Sequence, residues 1–197
     1  GRVSGARRFS GGYGEVGLSQ TLQGASFSMG AWVQPAKYPS TGRLAVIFSN
    51  FAPDSTGWVV GLDDSGRVVL SIGTGTKSPW LVSSSQLPIG EWTRIDVTFD
   101  RPSRQAKIYI DSALNQSGQF VAPTINTTVD PTVGRASWIP SYYFDGVLDE
   151  ITIHQVALTE PELSELSVVP SPDSDPLVPE EIIQTTAELR ELIHNGV

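Results

Sequence analysis

The chain has no cysteine, two histidines and one methionine in its 197 residues. Without cysteine there is no disulfide framework, no thiolate zinc site and no thiol nucleophile. His154 and His194 alone leave little for a histidine metal centre or a Ser-His-Asp triad. No apolar run reaches the roughly 18 residues that a helical membrane span needs, so no such span is expected. Positive charge is also scarce. Thirteen Lys and Arg face 21 Asp and Glu, a net charge of −8, which argues against a nucleic acid as ligand.

The negative excess is uneven. Residues 168–197 hold six acids and one base, Arg190, a net of −5, leaving residues 1–167 at −3. The only methionine is Met29, and the opening Gly1-Arg2-Val3-Ser4-Gly5 is polar and unlike a signal peptide. The expectation is a processed or excised piece of a longer chain.

What is present is strand signal. Phe27, Met29, Ala31 and Val33 alternate with Ser28, Gly30, Trp32 and Gln34, the period of a strand. Ile95, Val97 and Phe99 alternate in the same way. Leu44–Ser49 is a short apolar run, Lys107–Ile110 is β-branched and aromatic, and Val147–His154 alternates again. Asp64-Ser65-Gly66 between two such runs reads as a hairpin turn, and Arg101–Arg104, Asp130-Pro131 and Ile139–Ser141 read as further turns. The expected fold is all-β, a two-sheet antiparallel β-sandwich with one short helix near its C-terminal end. Thr159 would cap that helix and Pro161 would lie in its first turn. The expected organisation is a sandwich over 1–168, a Pro-rich linker over 169–178 and an amphipathic helix over 179–197. That last helix would pack on, or lead to, a neighbouring domain.

Six segments, in order, resemble the laminin G-like (LamG-like) branch of the concanavalin A-like lectin/glucanase superfamily. They are Ala6–Gly11, Phe27–Pro35, Gly90–Asp100, Lys107–Asp111, Gly134-Arg135, and Phe144–Ile153 followed by Ala157-Leu158-Thr159. The sequence departs from the family pattern at Ser10 (usually Asp), Ser112 (usually Gly) and His154 (usually Tyr). The resemblance implies a jelly roll of about 160 residues and an extracellular or cell-surface setting. It also implies a non-catalytic module that binds a glycan or polysaccharide, or mediates adhesion, within a larger protein. A protein-interaction or architectural domain is the alternative. In family context Asp149 would help hold a structural Ca²⁺ together with backbone carbonyls; the alternative is a carboxylate capping turn amides.

Glycoside hydrolases share this superfamily, so the carboxylates matter. A glycosidase needs two facing one cleft. Asp149 and Glu150 are adjacent and would point to opposite faces of a strand, as would Asp63 and Asp64. No catalytic residue is assigned. The aromatics are the better candidates. Trp32 and Trp92 read as core, and Trp58 can be core or ligand platform. Trp80, Trp138, Tyr142 and Tyr143 fall in loop-like stretches beside polar residues, the composition of a sugar site. The alternative is that these rings seal the sandwich edge. Arg7-Arg8 and Arg101…Arg104 are small basic patches that read chiefly as solvated surface. Asn115-Gln116-Ser117 and Asn126-Thr127-Thr128 have the form of glycosylation sequons.

Overall fold

The computed structural model describes residues 6–15, 26–121, 123, 125, 129–139 and 141–167. The linker expected at 169–178 and the helix expected at 179–197 lie outside the described residues.

The alternation seen in the sequence becomes strands. They are β1 (Arg7–Ser10), β2 (Gly14–Glu15), β3 (Phe27–Pro35), β4 (Ala45–Ser49), β5 (Trp58–Leu62) and β6 (Arg67–Ile72). These are followed by β7 (Trp80–Gln86), β8 (Thr93–Asp100), β9 (Gln105–Ile110), β10 (Ala113–Gln119), β11 (Thr132–Val133) and β12 (Asp145–His154). Among the described residues one helix, α1, spans Glu160–Ser167. The first sheet has the order β1-β12-β3-β8-β9-β10 and the second β2-β11-β4-β5-β6-β7. Every pairing is antiparallel. Since sequence neighbours such as β3 and β4 lie in different sheets, the result is a jelly-roll β-sandwich.

The main core lies between the sheets, where Phe27, Met29 and Phe99 of the first meet Trp58, Val60 and Leu70 of the second. Phe27 is central, its ring centroid 5.6 Å from that of Phe99 and 6.0 Å from that of Trp58. The β5–β6 hairpin turns through Gly66, whose φ of 78° is costly for any residue with a Cβ. Asp63 fastens that turn by accepting the Ser65 and Arg67 amides.

The outer face of the first sheet carries a buried ion pair. Arg94 donates to both oxygens of Asp96, with Nη2 2.7 Å from Oδ1, and both side chains are essentially inaccessible. The guanidinium also reaches the Glu150 carbonyl at 3.2 Å and Thr152 Oγ1 at 3.1 Å on β12. Burial pushes the Asp96 carboxyl above its ordinary value, against the pull of the Arg94 hydrogen bonds. The strict alternation expected around Asp149 and Glu150 is interrupted here. β12 bulges between Asp149 and Thr152, and Glu150 takes a positive φ of 47°.

Two features close the margins. On one flank β10 and β7 are joined by Asn115, whose Oδ1 accepts the Ser84 amide at 2.8 Å and whose Nδ2 donates to Ser85 Oγ at 3.0 Å. The amide nitrogen of that sequon is therefore engaged in holding the sandwich together. At the C-terminal end of the sandwich, Glu162 Oε2 caps the start of α1 by accepting both the amide and the hydroxyl of Thr159, and Leu163 buries against the body.

Candidate functional site

Side chains on strands of the second sheet that alternate away from the main core would ordinarily face water. Val46, Val59 and Val69 do alternate away, yet they are buried. They form a second apolar layer with Leu44, Phe51 and Ala136, joined by Val82, Trp138 and Tyr142. The cover is supplied by Ala136, Trp138 and Tyr142, which lie in the sequence between β11 and β12. Its base is an Arg135–Tyr143 bridge, and the Ala136 amide donates to the Tyr142 carbonyl at 2.8 Å. Trp138 lies 4.8 Å from Phe51 and 6.4 Å from Tyr142, centroid to centroid. Ser137 Oγ ties the cover down by donating to the Phe51 carbonyl at 2.6 Å.

Adjacent residues in an extended segment point opposite ways, and the two tyrosines do so. Tyr142 turns into the apolar layer. Tyr143, 38% exposed, lines a cleft of about 370 Å³ with Lys37, Ser40, Arg43, Ser141 and Asp145. Lys37 Nζ is 2.8 Å from Asp145 Oδ2. That hydrogen bond, with the carboxylate's charge, holds the Lys37 ammonium above its usual pKa. Arg43 lies on the other wall, its guanidinium carbon 5.9 Å from the Tyr142 ring centroid. The cleft thus combines one aromatic edge, two hydroxyls, two cations and one carboxylate.

The remaining predicted positions divide. Trp138 belongs to the layer beneath the cover. Trp80 is not in a loop; it opens edge strand β7 opposite Ser71 and is 51% exposed. Three strand spacings separate β7 from β4, about 14 Å, so Trp80 and the cleft are distinct surfaces. Trp58 must be corrected. It is wholly buried against Phe27 in the main core and can touch no ligand, because its strand position alternates inward with Val60 and Leu62. Trp32 is buried as expected, although on the outer face of the first sheet, while Trp92 is only half-buried.

Asp149 is 8% exposed, and its Oδ1 accepts the Glu150 amide at 3.0 Å. It offers hard oxygen to a cation, but no group of three His, Cys, Asp or Glu converges among the described residues. A Ca²⁺ there would have to complete its shell with carbonyl oxygens.

Lys37, Arg43 and Asp145 were not singled out by the sequence. They come together across about a hundred residues of chain, and only the β-rich spacing around them was readable beforehand.

A laminin G family model, described as concanavalin A-like lectin/glucanases superfamily, matches residues 10–164. The chain belongs to that superfamily. No curated protein matches it in sequence. Among solved structures it is similar to the NanB sialidase of Streptococcus pneumoniae, in the K499G mutant, with a TM-score of 0.69 and 18% identity. That likeness covers 82% of this chain and 27% of the sialidase, so the chain spans about a quarter of that protein. It is also similar to domain 4 of AbnA, a GH43 extracellular arabinanase of Geobacillus stearothermophilus, solved in complex with arabinotriose. There the TM-score is 0.66 and identity 22%, over 85% of this chain and 79% of that one. A heptameric SAP-like pentraxin of Limulus polyphemus follows the same fold, with a TM-score of 0.57 and 12% identity over 78% and 79% of the two chains. These superfamily likenesses agree with the two six-stranded sheets. Among the described residues, no helix is long and apolar enough to cross a membrane.

Proposed function

We propose that this chain is a non-catalytic carbohydrate-binding module of a larger secreted or surface protein, accessory to an enzyme that acts on a polysaccharide. The observation that carries the reading is the cleft under Tyr143. A half-exposed ring can cover the apolar face of a sugar while Ser40, Ser141 and the Lys37–Asp145 pair take its hydroxyls. The arabinotriose complex of the arabinanase domain supports it, as does a sialidase of which this fold is one part. Tyr143 is the principal platform, and Trp80 is a second contact available only to a chain of several sugars.

The cleft's own acids favour a module without catalysis. Glycoside hydrolysis needs a general acid beside a second carboxylate. This cleft has one carboxylate, Asp145, and it is paired with Lys37 at 2.8 Å.

Asp149 is assigned to a structural Ca²⁺ whose other ligands are carbonyl oxygens. A rise in melting temperature on titrating CaCl₂ into metal-stripped protein, lost in Asp149→Asn, would support that assignment. An unchanged melting temperature would remove it.

Binding of the chain to arabinan, galactan and uronic-acid oligosaccharides, measured by calorimetry, tests the main reading. Tyr143→Ala should weaken binding about tenfold, the scale of one lost ring contact. No binding to any member of the panel, or full binding by Tyr143→Ala, would refute it.

A further inference from the structure

The cleft has an unbalanced charge in a protein that is negative overall. Lys37 and Asp145 neutralise one another at 2.8 Å. Arg43 has no such partner. Its side chain makes no hydrogen bond or ion pair among the described residues, and its one recorded contact is the Tyr142 ring at 5.9 Å. Its backbone is fixed, because its amide donates to the Ser40 carbonyl at 3.0 Å and the preceding Gly42 amide donates to Asp64 Oδ2 at 2.9 Å. The guanidinium is therefore presented from an anchored turn, beside an aromatic face, on the wall of the cleft that Tyr143 lines.

Resting on the carbohydrate-binding reading above, we infer that the cleft selects a sugar bearing a carboxylate, with Arg43 as the residue that recognises it. A guanidinium presents paired N–H donors that match the two oxygens of a carboxylate, and it stays charged at every working pH. Two cations and one carboxylate leave a single net positive charge, suited to one singly charged group. A densely sulfated chain would bring several negative charges against Asp145. The sugar ring then lies on Tyr143, and its carboxylate reaches Arg43 across the cleft. Arg43 is exposed and bonded through its backbone only, so replacing its side chain leaves the fold in place.

The experiment compares the full 197-residue chain with Arg43→Gln and Arg43→Lys, using oligogalacturonides and their carboxyl-reduced, neutral counterparts at low and high salt. The unmodified protein should bind the carboxylated oligosaccharide about tenfold more tightly than the neutral one, the scale of a charge-assisted pair. That preference should vanish in Arg43→Gln, survive in part in Arg43→Lys, and shrink as NaCl is raised. Equal binding of both probes by the unmodified protein, or a preference that persists in Arg43→Gln, would overturn the inference. So would tighter binding of a sulfated oligosaccharide of the same length. Those outcomes leave the carbohydrate-binding reading standing if neutral oligosaccharides bind and Tyr143→Ala weakens them. Failure of every probe would sink both.

Discussion

Gly30 stands opposite Asp96 in the β3–β8 pairing, and its missing side chain is what lets the Arg94–Asp96 ion pair lie flat on that sheet. A Cβ at Gly30 would overlap Asp96 Oδ1 and Arg94 Nη2. Gly30→Ala should therefore destabilise the protein by about 2–3 kcal/mol, read as a lower urea midpoint. Asp96→Ala should cost about 3–5 kcal/mol, because the Arg94 charge would remain buried without its partner. A midpoint unchanged in both variants would show that the pair is not packed as described.

Trp58 tests the corrected assignment. Its ring is in the main core, and its indole N–H has no hydrogen-bond partner among the described residues. Trp58→Ala should cost about 3–5 kcal/mol through the cavity it leaves. Trp58→Phe loses volume but also removes a buried donor, and should cost less than about 2 kcal/mol. Neither substitution acts directly at the cleft, so Trp58→Phe should bind sugar as the unmodified protein does.

Acid stability should depend on two capped carboxylates. The hydroxyl and amide of Ser103, aided by Ser26, hold Asp100 below its ordinary value of 3.8. The hydroxyl and amide of Thr159 hold Glu162 below 4.5. Each folded pKa is thus lower than the unfolded one, so the contribution is complete above those values and is lost as pH falls through the folded pKa. A carboxyl titration by NMR should place both groups below their usual positions, and Ser103→Ala and Thr159→Ala should return them upward. Ordinary titration of both in the unmodified protein would contradict the capping.

The aromatic residues should separate by stability and by ligand length. Trp138 packs on Phe51 and Tyr142 beneath the cover, so Trp138→Ala should lower stability by about 2–3 kcal/mol and weaken sugar binding by disturbing the segment that carries Tyr143. Trp80→Ala should change stability by less than about 0.5 kcal/mol, since half of that residue is already in water. It should weaken binding of long oligosaccharides while sparing short ones. An equal loss for both lengths would place the two surfaces in one site.

Much of the fold was legible because two-residue alternation is a local signal. Ile95, Val97 and Phe99 face the core as their spacing requires, Gly66 makes the hairpin turn, and Thr159 caps the helix. Less was legible where polar or apolar character met an unexpected neighbour. Arg94 and Asp96 are buried only because Gly30 makes room for them. Val46 and Val59 are buried on an outward-facing side because Ala136, Trp138 and Tyr142 cover them. Trp80 follows a polar, loop-like stretch, yet Pro79 does not bar a strand there, since Pro at the entrance of an edge strand costs no ladder hydrogen bond. For the cleft, Tyr143 could be singled out as an aromatic in a polar stretch. Lys37, Arg43 and Asp145 could not, since nothing local marks a cation and an acid that meet across most of the chain.

The Asn115 amide has a consequence for how this module lives beside others. Edge strands carry unspent backbone donors and acceptors, and two copies brought close can zip together along them. By spending its side chain on Ser84 and Ser85, Asn115 occupies that flank from within. That margin is thereby a poorer template for strand addition by a second copy.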